Sequence, residues 1–237
     1  MSRPGFAPSR CVLLFARAPR AEAAAKGLRG GEALFALSQD RVRDAVAALP
    51  GVELVVVPPA AQAGAEFGGK LEAAFRGAAR RGCGEIVAVP GDVPGLTARD
   101  LEAAFRALSE SDTVLGPSRD GGVWLIGLRA GEVSLSDFFE GVPWLTSRVF
   151  EALVGNAPRA ALLAELLDVD RRADARRLRE SFRATKRGKQ DAILLTVLDA
   201  FLGRQPVLSP RKSRRESPSP LSAPLPSRAP PLLLLIF

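Results

Sequence analysis

The chain has 237 residues, of which 47% are hydrophobic and 25% charged, a composition typical of a folded protein with one domain of ordinary size. It contains no histidine and two cysteines, which excludes His-based triads, histidine general bases and ordinary zinc sites. The net charge is +7, but the segment after Gly203 holds six basic residues and one acidic residue and so carries +5 of it. The body, at +2 by subtraction (7 − 5), offers no broad surface for nucleic acid.

The composition divides the chain into a leader at residues 1–10, one domain at 11–203 and a basic tail rich in proline and serine at 204–237. We expect the leader and the tail to be disordered, with the tail open to anionic partners. No apolar stretch is long enough for a membrane span. Cys11 and Cys83 lie beside predicted strands, as small core residues of a reducing compartment do. We therefore expect a cytoplasmic protein.

Apolar runs and helical periods alternate along the domain. In chain order they predict a strand at Val12–Ala16, a helix at Glu32–Leu49, a strand at Val52–Val57, a helix from Gly64 to about Arg81, a strand at Ile86–Val89, a helix at Ala98–Leu108, strands at Thr113–Gly116 and Val123–Leu128, and helices at Arg172–Phe182 and Gln190–Leu202. Thr97 followed by Asp100 resembles a capping box at the start of the helix Ala98–Leu108. The alternation predicts an α/β fold with a mostly parallel sheet and helices on both faces.

Two aspartates follow predicted strands in loops. Asp92 comes directly after Ile86–Val89 in a segment whose two prolines exclude helix. Asp120 lies between the strands Thr113–Gly116 and Val123–Leu128. Ligands bind at the carboxyl ends of strands in such sheets, and carboxylates are hard ligands for a divalent cation. The alternative is that Asp92 caps a turn and Asp120 belongs to a tight hairpin.

Two segments carry a resemblance to a known family. They are Pro90–Leu96 and Leu115–Gly127, the second with Val123 in place of a tyrosine. Both resemble the GT-A-like bacterial glycosyltransferases that were first catalogued as a domain of unknown function and are linked to arsenosugar biosynthesis. The similarity extends from about Val12 to Leu178. It implies the Rossmann-like GT-A fold of nucleotide-diphospho-sugar transferases, a nucleotide-sugar donor and a Mg²⁺ or Mn²⁺ ion.

The resemblance also implies roles for the carboxylates. Asp92 becomes the main metal ligand, and Asp168 or Asp170, in a segment similar to the one that closes the family's domain, becomes the second. Asp120 contacts the sugar or acts on the acceptor hydroxyl, since carboxylates are the plausible bases in a chain without histidine. The alternative for Asp168 and Asp170 is that they cap the helix that follows.

Binding of the donor phosphates is the weakest part of the resemblance. The expected donor-binding residues are Arg17, Lys26, Lys70, Gly121 and Gly122. The loop after the first strand, however, has Glu22 where the family has a glycine, and a negative charge there repels a phosphate. Either donor affinity is weakened, or the cations of this loop are ordinary solvated charges.

On the acceptor side the resemblance places Trp144 and Thr146. Trp144 either stacks on a sugar or acceptor ring or packs on Phe138 or Phe139 as part of a hydrophobic lid. Thr146 is the expected start of a helix. The helix Gln190–Leu202 carries an apolar face that either covers an edge of the domain or serves a partner.

Three functions remain open at this point. The first is glycosyl transfer from a nucleotide-diphosphate sugar to a sugar or small-molecule acceptor. The second is nucleotidyl transfer of the molybdopterin-guanylyl or phospholactate-guanylyl type, against which Glu22 and the alanine run in the first loop argue. The third is a degenerate, non-catalytic nucleotide-binding domain that uses its basic tail.

Overall fold

The computed structural model describes residues 9–61, 66–185 and 191–203. Its strands are β1 (Ser9–Phe15), β2 (Val52–Val57), β3 (Cys83–Pro90), β4 (Thr113–Pro117), β5 (Val123–Arg129) and β6 (Ala161–Leu162). They form a six-stranded sheet in the order β2-β1-β3-β5-β4-β6, in which β5 is antiparallel to both of its neighbours and the other pairings are parallel. The predicted mostly parallel α/β sheet is therefore confirmed.

Helices connect these strands. The described α-helices are α1 (Pro19–Ala25), α2 (Glu32–Ala47), α3 (Phe67–Arg80), α4 (Ala98–Leu108), α5 (Leu135–Phe139), α6 (Val149–Asn156), α7 (Arg172–Ala184) and α8 (Ala192–Gly203). A short 3-10 helix spans Pro59–Ala61. Helix α4 begins where the capping box predicts, because the Asp100 carboxylate accepts a hydrogen bond from the Thr97 backbone at 2.8 Å. None of the described helices combines the length and apolar character that crossing a bilayer requires.

The sheet is buried on both faces because successive side chains of each central strand point in opposite directions. In β1, Cys11, Leu13 and Phe15 face a cluster with α3, α5 and α6. Val12 and Leu14 face the opposite cluster, formed with α2 and α4. Helices therefore cover both faces, as the sequence predicts. Cys11 and Cys83 are buried, free thiols.

Several predicted boundaries are wrong. Strand β1 begins at Ser9, so the last two residues of the expected leader belong to the sheet, where Arg10 pairs with Val52. Helix α3 begins at Phe67, whereas the sequence predicted a start at Gly64. Residues 62–65 and 186–190 lie outside the described residues. So do residues 1–8, which are most of the expected leader, and residues 204–237, which are the whole tail. Helix α6 begins at Val149, with Arg148 rather than Thr146 at its N-cap.

Helix α8 covers an edge of the domain. Leu194, Leu198 and Phe201 are buried in a third cluster with α1, α2 and α7. Ile193, beside Leu194 in the same apolar stretch, is 67% exposed, because the packed stripe is narrower than that stretch. Arg41 of α2 binds Asp191 just before α8. The sequence left open whether this helix covers an edge of the domain or binds a partner, and the structure shows that it covers an edge.

The order in which the chain adds strands to the sheet reverses at β1. The strand pairs with β2 on one side and with β3 on the other. Helix α2, which connects β1 to β2, and helix α3, which connects β2 to β3, pack on opposite faces of the sheet. In sheets with this arrangement, a crevice lies at the carboxyl ends of the two adjacent strands, here β1 and β3. The polar residues described next come from α1, from the loops that follow β1, β3 and β4, and from the segment after β6.

Candidate functional site

Asp92 lies in the loop that follows β3 and is 4% exposed. The loop can sit against the end of β1 because Gly91 has no side chain: a Cβ at this position would lie 2.7 Å from the Cβ of Ala16. The Asp92 carbonyl accepts a hydrogen bond from the Val169 backbone at 3.0 Å. This bond fixes the loop to the segment between β6 and α7.

Asp120 lies in the turn between β4 and β5. Its Oδ1 accepts a hydrogen bond from the Gly122 backbone at 2.9 Å. Gly121 has a φ of +90°, and a Cβ there would lie 2.0 Å from the carbonyl oxygen of Ser147. The turn is thus a hairpin, the alternative that the sequence left open, and it also holds the Asp120 carboxylate in a fixed direction.

Asp168 and Asp170 are brought to these two loops by the segment after β6. Trp124 of β5 is buried and donates its indole N–H to the Ala164 carbonyl at 3.0 Å, which anchors the chain just before the segment. Carboxylate oxygens of Asp120, Asp168 and Asp170 all lie within 4.8 Å of one another. We call these three residues the open carboxylate group.

Asp168 and Asp170 do not cap α7. Arg171 is the N-cap residue, and Asp174 accepts a hydrogen bond from its backbone at 2.8 Å. The alternative role for the two aspartates is therefore wrong, and both carboxylates are left to face the loops after β3 and β4.

Lys26 lies among the carboxylates rather than at the surface. Its ammonium binds the carboxylate of Asp92, Asp170 Oδ1 at 2.6 Å and the Val169 carbonyl at 3.2 Å. Glu22 Oε1 lies 3.5 Å away, one helical turn before it on α1. The Lys26 side chain is 1% exposed. We call this arrangement, Lys26 Nζ with the oxygens of Glu22, Asp92, Asp170 and Val169, the lysine position.

Glu22 and Arg17 complete the charge network. Glu22 is 4% exposed, and its Oε2 accepts a hydrogen bond from Arg17 at 3.3 Å. The sequence suggested a Glu22 that repels phosphate from a solvent-facing loop. The structure turns it inward, where two cations compensate its charge. The spacing of Glu22 and Lys26, four apart on a helix, is the sequence signal for this pair.

Burial and repulsion between carboxylates raise the pKa values of Asp92, Asp120 and Asp168. Burial, together with the charges of Asp92, Asp120 and Asp170, raises the pKa of Asp168 to about 8. Burial also raises the pKa of Asp92, to about 6, although Lys26 opposes the shift. The pKa of Asp120 is raised as well, chiefly by burial. Burial alone lowers the pKa of Lys26, but Asp92, Asp170 and Glu22 raise it by more. Acidic groups outnumber the cations that compensate them.

Three buried carboxylate oxygens at the site make no hydrogen bond with any described residue: Glu22 Oε1, Asp92 Oδ1 and Asp120 Oδ2. A buried carboxylate oxygen without a partner is costly, and a divalent cation is the partner that best suits several such oxygens at once. The donor set is all oxygen, as Mg²⁺ and Mn²⁺ prefer. The residues present therefore fit a divalent cation.

The other predicted site residues are placed differently. Lys70 lies on α3, and its side chain makes no hydrogen bond or ion pair within the described part of the chain. The Gly121 and Gly122 amides donate to Ser118 O and Asp120 Oδ1, so neither is free for a phosphate in this arrangement. These two glycines shape the turn.

Trp144 and Thr146 lie in the segment before α6. The Trp144 ring contacts Phe139 and Phe67 at centroid distances of 5.8 and 5.1 Å. Packing on Phe139, one of the alternatives left open, is thus observed. Thr146 Oγ1 donates to the Pro143 carbonyl at 2.7 Å and accepts from the Arg148 backbone. The contacts of both residues hold the loop that covers Gly121.

A small cavity opens beside the open carboxylate group. It has a volume of about 70 Å³, and Arg119 and Arg177 lie at its rim. The same two arginines border a cavity of about 310 Å³ that reaches Phe182 of α7. Sequence reasoning missed both arginines, because Arg119 lies in a turn and Arg177 on a helix rich in charge. A cavity of about 380 Å³ between α3 and the segment after β5 has none of these carboxylates in its wall.

The fold and its crevice define a protein with the architecture of the nucleotide-diphospho-sugar transferases. A family model described as "Uncharacterized protein conserved in bacteria (DUF2064)" matches residues 22–146, and the chain belongs to this family. A crystal structure from Desulfovibrio desulfuricans G20, described as a "putative nucleotide-diphospho-sugar transferase", has a TM-score of 0.68 at 22% identity and covers 83% of this chain and 98% of that one. The GT-A-like fold expected from the sequence is thereby confirmed.

A curated relative is also similar over a shorter stretch. It is the 3-phospho-D-glycerate guanylyltransferase of Phenylobacterium zucineum (strain HLK1), which is 40% identical over 87 residues, or 36% of this chain. The match spans 38% of the length of that relative. A structure of the Rv0371c homologue from Mycobacterium sp. strain JC1 has a TM-score of 0.46 at 18% identity and covers 76% of this chain and 100% of that one.

Proposed function

We propose that the protein is a divalent-cation-dependent transferase that uses a nucleotide-diphosphate sugar as glycosyl donor. The observation that supports the proposal is the convergence of Asp120, Asp168 and Asp170 within 4.8 Å, at one edge of a sheet with the architecture of nucleotide-diphospho-sugar transferases. Asp120 is far from Asp168 and Asp170 in the sequence, and the charges of the three are compensated only in part. Clustered carboxylates with incomplete charge compensation destabilise the folded protein unless a cation binds between them.

Asp168 and Asp170 would hold the ion, and a carboxylate oxygen of Asp120 lies within 4.8 Å of theirs. When bound, Mg²⁺ or Mn²⁺ neutralises the charge on the diphosphate leaving group. Asp92 was the expected main ligand; one of its oxygens is occupied by Lys26, and the other remains available. Arg17, whose side chain is 31% exposed, is the cation of the first loop best placed to bind a phosphate.

The transfer itself needs a proton acceptor. In glycosyl transfer the acceptor oxygen forms a bond to the anomeric carbon, the bond from that carbon to the diphosphate oxygen breaks, and the nucleoside diphosphate leaves. The hydroxyl proton goes to Asp120, whose Oδ1 is held by Gly122 while Oδ2 is free. Burial raises the pKa of Asp120, as suits a general base. Arg119 and Arg177 border both the small cavity that Asp120 lines and the larger cavity of about 310 Å³, where the acceptor has room to bind.

The experiment is a panel of nucleotide sugars with Mn²⁺ or Mg²⁺, with a range of sugar and arsenosugar-type acceptors, in which release of nucleoside diphosphate is measured. Asp120→Asn should lower kcat by about 10²–10⁴-fold, as removal of a general base does. Asp168→Asn should lose the metal and the donor together. Asp112→Asn is the matched control, since Asp112 is an exposed carboxylate paired with Arg129. Absence of donor binding with and without metal would refute the proposal.

Nucleotidyl transfer is the second candidate, and the similarity to a guanylyltransferase over 87 residues favours it. It requires a loop that holds a triphosphate, whereas here α1 begins at Pro19, directly after a short loop, and Lys26 is turned into the carboxylates. Incubation with GTP and 3-phospho-D-glycerate separates the two reactions. Release of pyrophosphate favours nucleotidyl transfer, and release of a nucleoside diphosphate from a nucleotide sugar favours glycosyl transfer.

A further inference from the structure

The lysine position has the composition of a metal site with an ammonium at its centre. Three carboxylates, those of Glu22, Asp92 and Asp170, and the carbonyl of Val169 surround Lys26 Nζ. They come from α1, the loop after β3 and the segment before α7. Carboxylate and carbonyl oxygens from several loops are the donor set that a hard divalent cation takes.

The oxygens at this position are more numerous than one ammonium can satisfy. An ammonium group has three N–H donors, and these face four oxygens of the lysine position. Asp92 and Glu22 are each 4% exposed, and each keeps one oxygen, Asp92 Oδ1 and Glu22 Oε1, without a hydrogen bond from any described residue. Buried oxygens with spare capacity indicate a position that a cation of higher charge would also suit.

We propose that Lys26 acts as a built-in cation that fills one of two adjacent cation positions, so that this protein takes a single divalent ion, at the open carboxylate group. Asp170 is common to both positions and links them. The inference rests on the proposed function in one respect: it assumes that the ion used in catalysis binds at the open carboxylate group. Lys26 is then a positioning residue: it holds Asp92 and Asp170 in place.

The surroundings of Lys26 keep the ammonium where it is. Its chain lies over the Phe35 ring, with Nζ 5.6 Å from the ring centroid. Removal of the ammonium from this pocket would leave Asp92 buried without a counter-charge and Glu22 with only its long contact to Arg17. We therefore expect Lys26 to stay in place when the divalent ion binds, instead of moving out to meet a phosphate.

The test compares the number of Mn²⁺ ions bound per chain by the wild type, Lys26→Met and Lys26→Arg, by electron paramagnetic resonance and calorimetry. Lys26→Met should bind about one ion more than the wild type, because the vacated oxygens suit a hard cation. Lys26→Arg keeps the charge and should gain none. Lys70→Met, at a lysine without a charge partner among the described residues, is the matched control. An unchanged ion count in a folded Lys26→Met protein would overturn the proposal.

Amine acetylation of the wild type, read by mass spectrometry, tests the same idea without a substitution. Lys70 should be labelled, and Lys26 should remain unlabelled both with and without saturating Mn²⁺. Labelling of Lys26 once Mn²⁺ is added would show that the ion displaces the ammonium, and this would overturn the proposal. A wild type that binds no Mn²⁺ and no donor would refute the proposed function, whereas an ion gained by Lys26→Met would still support the role of Lys26.

Discussion

The lysine position and the open carboxylate group lie side by side and share Asp170, yet they differ in how their charge is balanced. In the first, a lysine that is 1% exposed provides the counter-charge. In the second, no cation of the described residues is bonded to Asp168, and burial beside other carboxylates raises its pKa to about 8. The contrast supports our proposal that the acidic cluster has two parts. One part is neutralised by Lys26, and the other is open to a divalent cation.

The largest expected effect is on stability and lies in the lysine position. Lys26→Met removes the counter-ion of Asp92 and Asp170 and leaves Glu22 with Arg17 alone, and loss of one partner from a buried ion pair costs about 3–5 kcal/mol. Urea unfolding in EDTA, with Lys70→Met as control, measures the difference. Mn²⁺ should restore more stability to Lys26→Met than to the wild type. Equal unfolding free energies for Lys26→Met and Lys70→Met would show that Lys26 does not stabilise the lysine position.

The next effect concerns the turn that carries Asp120 into the open carboxylate group. Gly121→Ala places a Cβ against the Ser147 carbonyl at a positive φ, and overpacking of this kind costs about 1–3 kcal/mol. Gly131→Ala is a matched control, since Gly131 has a φ of +87° but nothing within 4 Å of the added atom. We expect Gly121→Ala alone to weaken Mn²⁺ binding. Equal Mn²⁺ affinities in the two variants would show that the turn does not position Asp120.

A smaller effect is a pH dependence of the metal-free protein. The pKa of Asp168 is about 8 in the folded state, and an unfolded aspartate titrates near its ordinary value of about 4. Between these pH values the unfolded chain is ionised while the folded protein keeps the proton, so stability falls as the pH rises. Asp168→Asn should flatten this decline and be more stable than the wild type at pH 8 in EDTA.

Urea unfolding at pH 5 and pH 8 checks the slope, and Asp112→Asn serves as the control. Some slope should remain in Asp168→Asn, because the pKa of Asp92 is also raised, to about 6. A wild-type stability that rises between these two pH values would contradict the expected sign.

The smallest expected effect belongs to Arg17, at the border of the network. Its contact with Glu22 is long and its side chain is 31% exposed, so Arg17→Gln should change stability by less than about 0.5 kcal/mol. If Arg17 binds a donor phosphate, KM for the donor should rise several-fold while kcat changes less. Steady-state kinetics on the active donor measures both constants. An unchanged KM would restrict Arg17 to the pairing with Glu22.

Much of the fold could be predicted from local signals. The bounds of β2 and α4 match their predictions because a β-branched run between turn residues and a capping box are complete within a few residues. Asp92 at the end of β3 follows from the prolines around it. The narrow packed stripe of α8 was not predictable, because its width depends on how α2 and α7 meet it.

The candidate site likewise has features that the sequence predicts and features that depend on the tertiary structure. The sequence by itself determined which carboxylates belong to the site, the position of Asp92 and Asp120 in loops after strands, and membership of the DUF2064 family. Only the tertiary structure decided that Lys26 faces Asp92 and Asp170, which are 66 and 144 residues away in the chain. The physical reason is that a sequence specifies where a charged side chain starts, whereas its direction depends on which partner relieves the cost of burying it.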